Sequence, residues 1–270
     1  MKKSSKIIII VCVILSAIAI IISSMITSVG DKKKKVGTRN NTNTSEDSVY
    51  VAIKYDTTSA VYEINGTNHT ITVNQDFPTV IAKDESVQNK MQSILGEIAN
   101  NEFSEFKRYV EQIISDKYEV NAEYMESVGD LSLSWKFSNS RNDEKVVSVE
   151  NESKGNLSGI SWPSKRGYSF NAQTGELLKL EDIAISKEAL RKYINETIMK
   201  YLKANYQKLG LNNNVMSNLT KLANIDNLYW YLSDSGLTIC FEKGTFSDNA
   251  FSYTINYSSL EEYVTAEYLK

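Results

Sequence analysis

Between Lys6 and Asp31 the chain runs for 24 residues, Ile7 to Gly30, without a charge, and most of the first part of that run is Ile, Val, Leu or Ala. At a rise of ~1.5 Å per residue, ~20 apolar residues cross the roughly 30 Å hydrocarbon layer of a bilayer. The segment 7–30 is therefore expected to be a transmembrane helix. Lys2, Lys3 and Lys6 precede it and Lys32 to Lys35 follow it. A cleaved signal peptide is the other reading. Such a peptide has an apolar core of ~7–15 residues ending at a small-x-small site; this core is longer, and "SSMITSVG" offers only a poor site. Lysines on both flanks leave the positive-inside rule divided. A short tail, residues 1–6, inside and the bulk of the chain outside is the expected arrangement. Residues 31–48, "DKKKKVGTRNNTNTSEDS", hold almost nothing to bury and are expected to form a flexible tether.

Charge and residue usage narrow what the remainder can do. From Val49 onward there are 22 Lys and Arg against 30 Asp and Glu, a net charge of −8. Nucleic acid needs a basic footprint, so it is excluded as a partner. An acidic body steers cationic partners toward itself, although solubility alone also explains the charge. Only Cys240 lies outside the apolar run, so no disulfide can form within the folded part. The Lys-, Asn- and Ile-rich usage and a disulfide-free surface domain fit a bacterium without an oxidising periplasm. His69 is the only histidine. One His and one Cys cannot supply a typical zinc site or a nucleophile–base pair, and there is no Gly-rich phosphate loop. No cofactor or metal is expected.

Periodicity suggests the elements. "VYVAIKY" (49–55), "AVYEI" (60–64) and "HTITV" (69–73) read as three short antiparallel strands, the last two joined at Asn65-Gly66. Val87, Met91, Ile94, Leu95 and Ile98, then Phe103, Phe106, Val110 and Ile113, predict one long amphipathic helix or two broken near Gly96 to Asn101. Leu131, Leu133, Trp135 and Phe137 alternate in a half-buried strand that pairs with "VVSVE". A second helix is predicted from Lys187 to Leu209, capped by Ser186 and ended by Gly210. "LYWYLSDSGLTICF" and "AFSYTINYSSL" close the chain as strands. The expected class is α+β: antiparallel sheets packed with two main amphipathic helices, preceded by one transmembrane helix. Two subdomains, 49–154 and 155–270, are expected.

"YSFNAQTGELLKLEDI" places Tyr168, Phe170 and Asn171 before a Thr174-Gly175 turn, followed by Leu178, Leu180, Asp182 and Ile183. With "YWYLSDSGLTICF" and the closing Tyr257, Ser258, Ser259 and Leu260, this order resembles the extracytoplasmic module shared by the peptidoglycan deacetylase PdaC and the lysozyme-sensing anti-sigma factor RsiV. Phe77-Pro78 ahead of the Asp84 helix resembles the module's Tyr-Pro, and the likeness spans about residues 50 to 262. Two loops depart from it: "KGNLSGIS" lacks the usual His, and "EKGTFSDNAF" replaces a Pro-Tyr loop. The resemblance implies a non-catalytic binding or sensing module at the bacterial cell envelope, with a lysozyme-like cationic protein or peptidoglycan as ligand. PdaC's chemistry sits in a separate deacetylase domain that has no counterpart here, and "MKKSSK" is too short for the sigma-binding segment that RsiV signalling needs.

Candidate contact residues are aromatic. Trp162 lies in the predicted loop "ISWPSKRG". In "NLYWYL" alternation sets Tyr229 and Tyr231 on one face and Trp230 on the other. Two other readings remain: a wall-associated enzyme using carboxylates such as those of "LED" (180–182) and "LEE" (260–262), and a purely structural surface protein. The anchor carries a direct expectation. The full chain should stay in the membrane pellet through alkaline extraction, and protease added to intact cells should digest its C-terminal part; release into the soluble fraction or protection from protease would refute the arrangement.

Overall fold

The computed structural model describes residues 38–39, 51–63, 68–114, 130–157, 160–161, 164–211, 213–247 and 249–270. The chain divides into two units, Met1–Val36 and Gly37–Lys270, and every described residue belongs to the second. The expected tail and transmembrane anchor, and all of the tether except Thr38 and Arg39, lie outside the described residues. Among the described residues, no helix is long and apolar enough to cross a membrane.

The three short strands expected at the start are two long ones. β2 (Val51–Glu63) and β3 (Thr70–Ala82) pair antiparallel over 13 residues each, and the short β1 (Thr38–Arg39) adds to the outer edge of β2. Alternation in the sequence fades between the apolar clusters because burial changes face in mid-strand. Ile71, Val73 and Gln75 are buried, then Asp76, Pro78 and Val80. The switch falls where β4 (Leu131–Asn142) parts from β3, since their register ends at Gln75 opposite Trp135.

That β3–β4 pairing is parallel, which corrects the expectation of purely antiparallel sheets. The reason lies in the connection. A helix between two strands returns the chain to the end it started from, and such a crossover is what parallel pairing needs. Here it contains α1, Glu85–Ile114, a single helix. Asp84 caps it, its Oδ1 accepting from the N–H groups of Ser86 (2.7 Å) and Val87 (3.2 Å). Val87, Met91, Leu95 and Ala99 recur every fourth residue and are buried. On the same helix Gln88 and Gln92 close the edge that β4 leaves open. Gln92 accepts from Val80 N (2.8 Å) and donates to the Pro78 carbonyl (3.1 Å), and Gln88 accepts from Ala82 N (3.0 Å). Proline has no N–H to be orphaned at that edge.

β4 pairs antiparallel with β5 (Val146–Leu157), as expected, and β5 pairs with β7 (Ser164–Asn171); the two-residue β6 (Ile160–Ser161) adds to the end of β5. The expected boundary at 154/155 falls inside β5. After the Thr174-Gly175 turn the chain makes an isolated bridge between Phe170 and Leu177 and then a single helical turn, α2 (Leu180–Ile183). α3 (Lys187–Ala204) is the second main helix, with Ser186 as its cap, and it buries Leu190, Ile194, Ile198 and Leu202. It packs on a three-stranded antiparallel sheet of β8 (Tyr229–Leu232), β9 (Gly236–Phe241) and β10 (Phe251–Asn256). The fold is thus α+β, with a mixed larger sheet and a small antiparallel one.

Two hydrophobic clusters result. One joins α1 to β2–β5 and β7; the other joins α2 and α3 to the small sheet. Buried Arg141 ties β4 to the second cluster. Its Nε meets Asp143 Oδ2 at 2.6 Å, and its Nη1 donates to Tyr257 Oη (2.6 Å) and the Tyr268 carbonyl (2.7 Å). Burial alone would raise the Asp143 carboxyl. Hydrogen bonds from Arg141 and from the N–H groups of Lys145 and Val146 outweigh it and hold the carboxyl below its ordinary 3.8. A second buried charge pins α1. Glu102 is 3% exposed; its Oε1 accepts from Tyr168 Oη (2.5 Å) and lies 3.5 Å from Arg166 Nη1, and its Oε2 accepts from Asn151 Nδ2. Arg166 also donates to Glu242 Oε1 (2.6 Å) and lies 4.9 Å from the Tyr229 ring centre.

Both charges have measurable consequences. Because Asp143 titrates lower folded than unfolded, its stabilisation is complete above its ordinary value and is lost as pH falls through the folded one. Asp143→Asn should therefore flatten the acid side of a stability–pH curve read by thermal melting, and an unchanged acid limb would refute the linkage. Glu102→Leu removes the buried acceptor that Tyr168, Asn151 and Arg166 share and should cost about 3–5 kcal/mol in urea unfolding, against a much smaller loss for Glu102→Gln.

Candidate functional site

Where β3 and β4 part, the sheet opens into a groove of about 510 Å³, lined by Tyr55, Asp76, Lys136, Phe137, Glu150 and Glu152 together with smaller polar residues. Pleat alternation builds it. Ser134, Lys136 and Ser138 are the β4 residues that point away from α1, and Glu152 and Glu150 stand opposite Lys136 and Ser138 on β5. Asp76 sits at the fork. Its Oδ1 accepts from Thr57 Oγ1 (2.6 Å), and its Oδ2 accepts from the Phe137 N–H (3.3 Å). The carboxylate thus continues a ladder that the two main chains no longer make. Tyr55 closes the same end, its ring parallel to Phe137 at 6.2 Å and its hydroxyl donating to Asn139 Oδ1 at 2.5 Å. Burial, and then the Asp76 charge, push the Tyr55 hydroxyl above the ordinary tyrosine range, so it stays a neutral donor.

Of the β5 acids, Glu150 is held from β7 and β8. Glu150 meets Lys165 Nζ at 2.6 Å and accepts from Tyr231 Oη at 2.6 Å. Burial works against the charge on Lys165, but the hydrogen bond and charge of Glu150 outweigh it and raise the ammonium. Glu152 pairs with Lys154 at 2.9 Å, whereas Asp76 is in no ion pair among the described residues. The groove therefore holds one carboxylate fixed by neutral donors, Asp76, beside two, Glu150 and Glu152, that are each paired with a lysine. Sequence reasoning missed these residues. Glu150 and Glu152, two apart in a strand, were legible as sharing a face; Asp76 sits in "NQDFP", where no alternation marks a strand.

The expected contact residues sit elsewhere. Trp162 lies outside the described residues. Tyr229 and Tyr231 do share one side of β8 and Trp230 the other. Tyr231 is only 4% exposed, with its ring against Gly167, where an added Cβ would lie 1.8 Å from Tyr231 Cδ1. Tyr229 is half-buried and meets Tyr168 edge-on at 5.9 Å, and Trp230 packs on the α3 cluster. These rings hold the small sheet in place. Of the acids in "LED" and "LEE", Asp182 Oδ2 accepts from the Lys179 N–H (2.8 Å) and Glu181 faces Lys187 (3.5 Å); none of them lines the groove. His69 lies 3.8 Å from Asp130 at the β2–β3 end. Cys240 is buried, and burial pushes its thiol far above the usual range. Among the described residues, no group of three or more His, Cys, Asp or Glu could hold a metal ion.

No protein-family model matches the sequence, and no curated protein does. Solved structures are similar at low identity. A DUF3298-family protein from Pseudomonas aeruginosa PAO1 is 13% identical with a TM-score of 0.49, over 81% of this chain and 96% of that one. A member of the DUF3298 family from Bacteroides fragilis is 12% identical with a TM-score of 0.54, over 82% of this chain and 96% of that one. The latter likeness shows a shared fold: the described residues carry the α+β architecture of a domain of unknown function.

Proposed function

We propose that the chain is a membrane-anchored, extracytoplasmic, non-catalytic binding or sensing module of the bacterial cell envelope. The fork groove takes up a basic segment of a lysozyme-like cationic protein. The observation that carries this reading is Asp76, a buried carboxylate held in place by Thr57 and the Phe137 main chain at the mouth of a groove that Glu150 and Glu152 also line. Asp76, fixed by neutral donors, complements a Lys or Arg side chain without reorganising, and the net charge of −8 beyond Val49 draws such a partner in. The PdaC and RsiV resemblance supports the same reading from the sequence side, and the apolar run at 7–30 supports the anchor.

Binding of hen lysozyme to the full chain in mild detergent tests the proposal by calorimetry. Affinity should fall steeply between ~50 mM and ~300 mM salt, as screening shortens the reach of surface charge. The pair of changes Asp76→Asn and Glu152→Gln should weaken it at least ~10-fold, about 1.4 kcal/mol. No binding at low salt, or equal binding by the variant, would sink the lysozyme reading. Retention on purified peptidoglycan in its place would assign the groove to wall glycan, and release of soluble sugar would make the protein an enzyme acting through these carboxylates.

A further inference from the structure

One face of α3 repeats Glu188, Arg191, Asn195 and Met199, steps of three and four residues that bring side chains into line. Between this face and Thr220 and Ala223, around the short helix Leu219–Leu222, lies a cleft of about 470 Å³. Two polar contacts set its width. Asn195 Oδ1 accepts from the Ile225 N–H at 2.9 Å, and Arg191 Nη2 lies 2.8 Å from Asp226 Oδ1. Asn224 Oδ1 accepts from the Asp226 N–H (3.2 Å) and so fixes the turn that presents that carboxylate. Thr220 donates its hydroxyl to Met199 Sδ at 3.7 Å, and Ala223 is buried beside them, so the floor is largely apolar.

These contacts leave donors over. Arg191 Nε is buried and has no hydrogen-bond partner among the described residues, which is costly for an N–H. Asn195 has committed its Oδ1 to Ile225, and among the described residues its Nδ2 meets no acceptor. The two donors are four residues apart on one helix face, with Cβ atoms ~5–6 Å apart, and the two oxygens of one carboxylate can meet both. Lys192, which also lines the cleft, favours the same anion. A bare anion is nevertheless opposed. Glu188 and Glu196 line the cleft too, neither is ion-paired among the described residues, and the chain carries −8 beyond Val49. A bare cation leaves the Arg191 donor unmet. A ligand that carries both charges satisfies the donors and the acids together, and its zero net charge removes the long-range repulsion. We propose that this cleft binds a free α-amino acid with an apolar side chain. Its carboxylate takes the Arg191 and Asn195 donors, its ammonium meets Glu188 and Glu196, and its side chain lies on Met199 and Ala223. The site uses none of the groove residues and does not rest on the lysozyme reading.

L-Leucine is the probe, titrated by calorimetry into the full chain in mild detergent. It should bind one to one with a Kd below ~1 mM. Isoamylamine lacks its carboxylate and isocaproate lacks its ammonium, and each should bind at least ~10-fold more weakly. Arg191→Lys keeps a cation for Asp226 but removes the Nε–H, and should weaken L-leucine at least ~10-fold. Glu188→Gln with Glu196→Gln should weaken L-leucine and strengthen isocaproate, a reversal that loss of folding would not produce. Asp76→Asn with Glu152→Gln, the groove variant, should leave L-leucine binding as it is. No binding of L-leucine, L-valine or L-alanine at ~10 mM, equal binding of either single-charge analogue, or unchanged affinity in Arg191→Lys would each overturn the proposal.

Discussion

The eight-residue ladder between β5 and β7, Val146–Ser153 against Ser164–Asn171, is the constraint from which the rest of residues 37–270 follows. β5 faces two ways. Val147 and Val149 belong to the cluster around α1, and Val146 belongs to the cluster around α3. β7 repeats the division, with Arg166 and Tyr168 turned toward Glu102 and Gly167 turned toward Tyr231. A strand pair this long holds both halves to one register, because a slip of one residue would send every side chain to the wrong cluster. Gly167 is required by the same logic, since nothing larger leaves room for the tyrosine ring that seats the small sheet.

Much of the fold was readable where a single periodicity ruled. Leu131, Leu133, Trp135 and Phe137 alternate and are buried; Phe251, Tyr253 and Ile255 alternate and share a face; Leu190, Ile194, Ile198 and Leu202 form the helical stripe, with Ser186 at its start. Legibility ended where two environments met in one element. The change of face at Gln75 and Asp76 leaves no repeating pattern. The parallel β3–β4 pairing depends on where α1 returns the chain, which no local signal encodes. Glu102 in "ANNEFSEF" reads as a solvated helix position. It is buried because its partners Asn151 and Tyr168, 49 and 66 residues away, supply the donors.

The groove and the fork share an origin. A two-stranded ribbon that leaves its sheet must either expose main-chain donors or find substitutes. On the β3 side the substitutes are glutamines from α1; on the β4 side Asp76 stands in, accepting from the Phe137 N–H. Structural repair of the split thus supplies the carboxylate that a cationic ligand would meet, and it explains how an acid becomes buried in mid-strand while making no ion pair among the described residues. The aromatic strand "YWYL", in contrast, spends its rings on packing.

The contacts of Arg141 also set an order of assembly. Its guanidinium reaches Tyr257 and Tyr268, 116 and 127 residues further along the chain, whereas the β2–β3 ribbon and the first turns of α1 close over short loops. Loop-closure entropy makes distant contacts the slow ones. By that argument the ribbon and its helix are expected to form before the segment at Tyr268 closes onto Arg141.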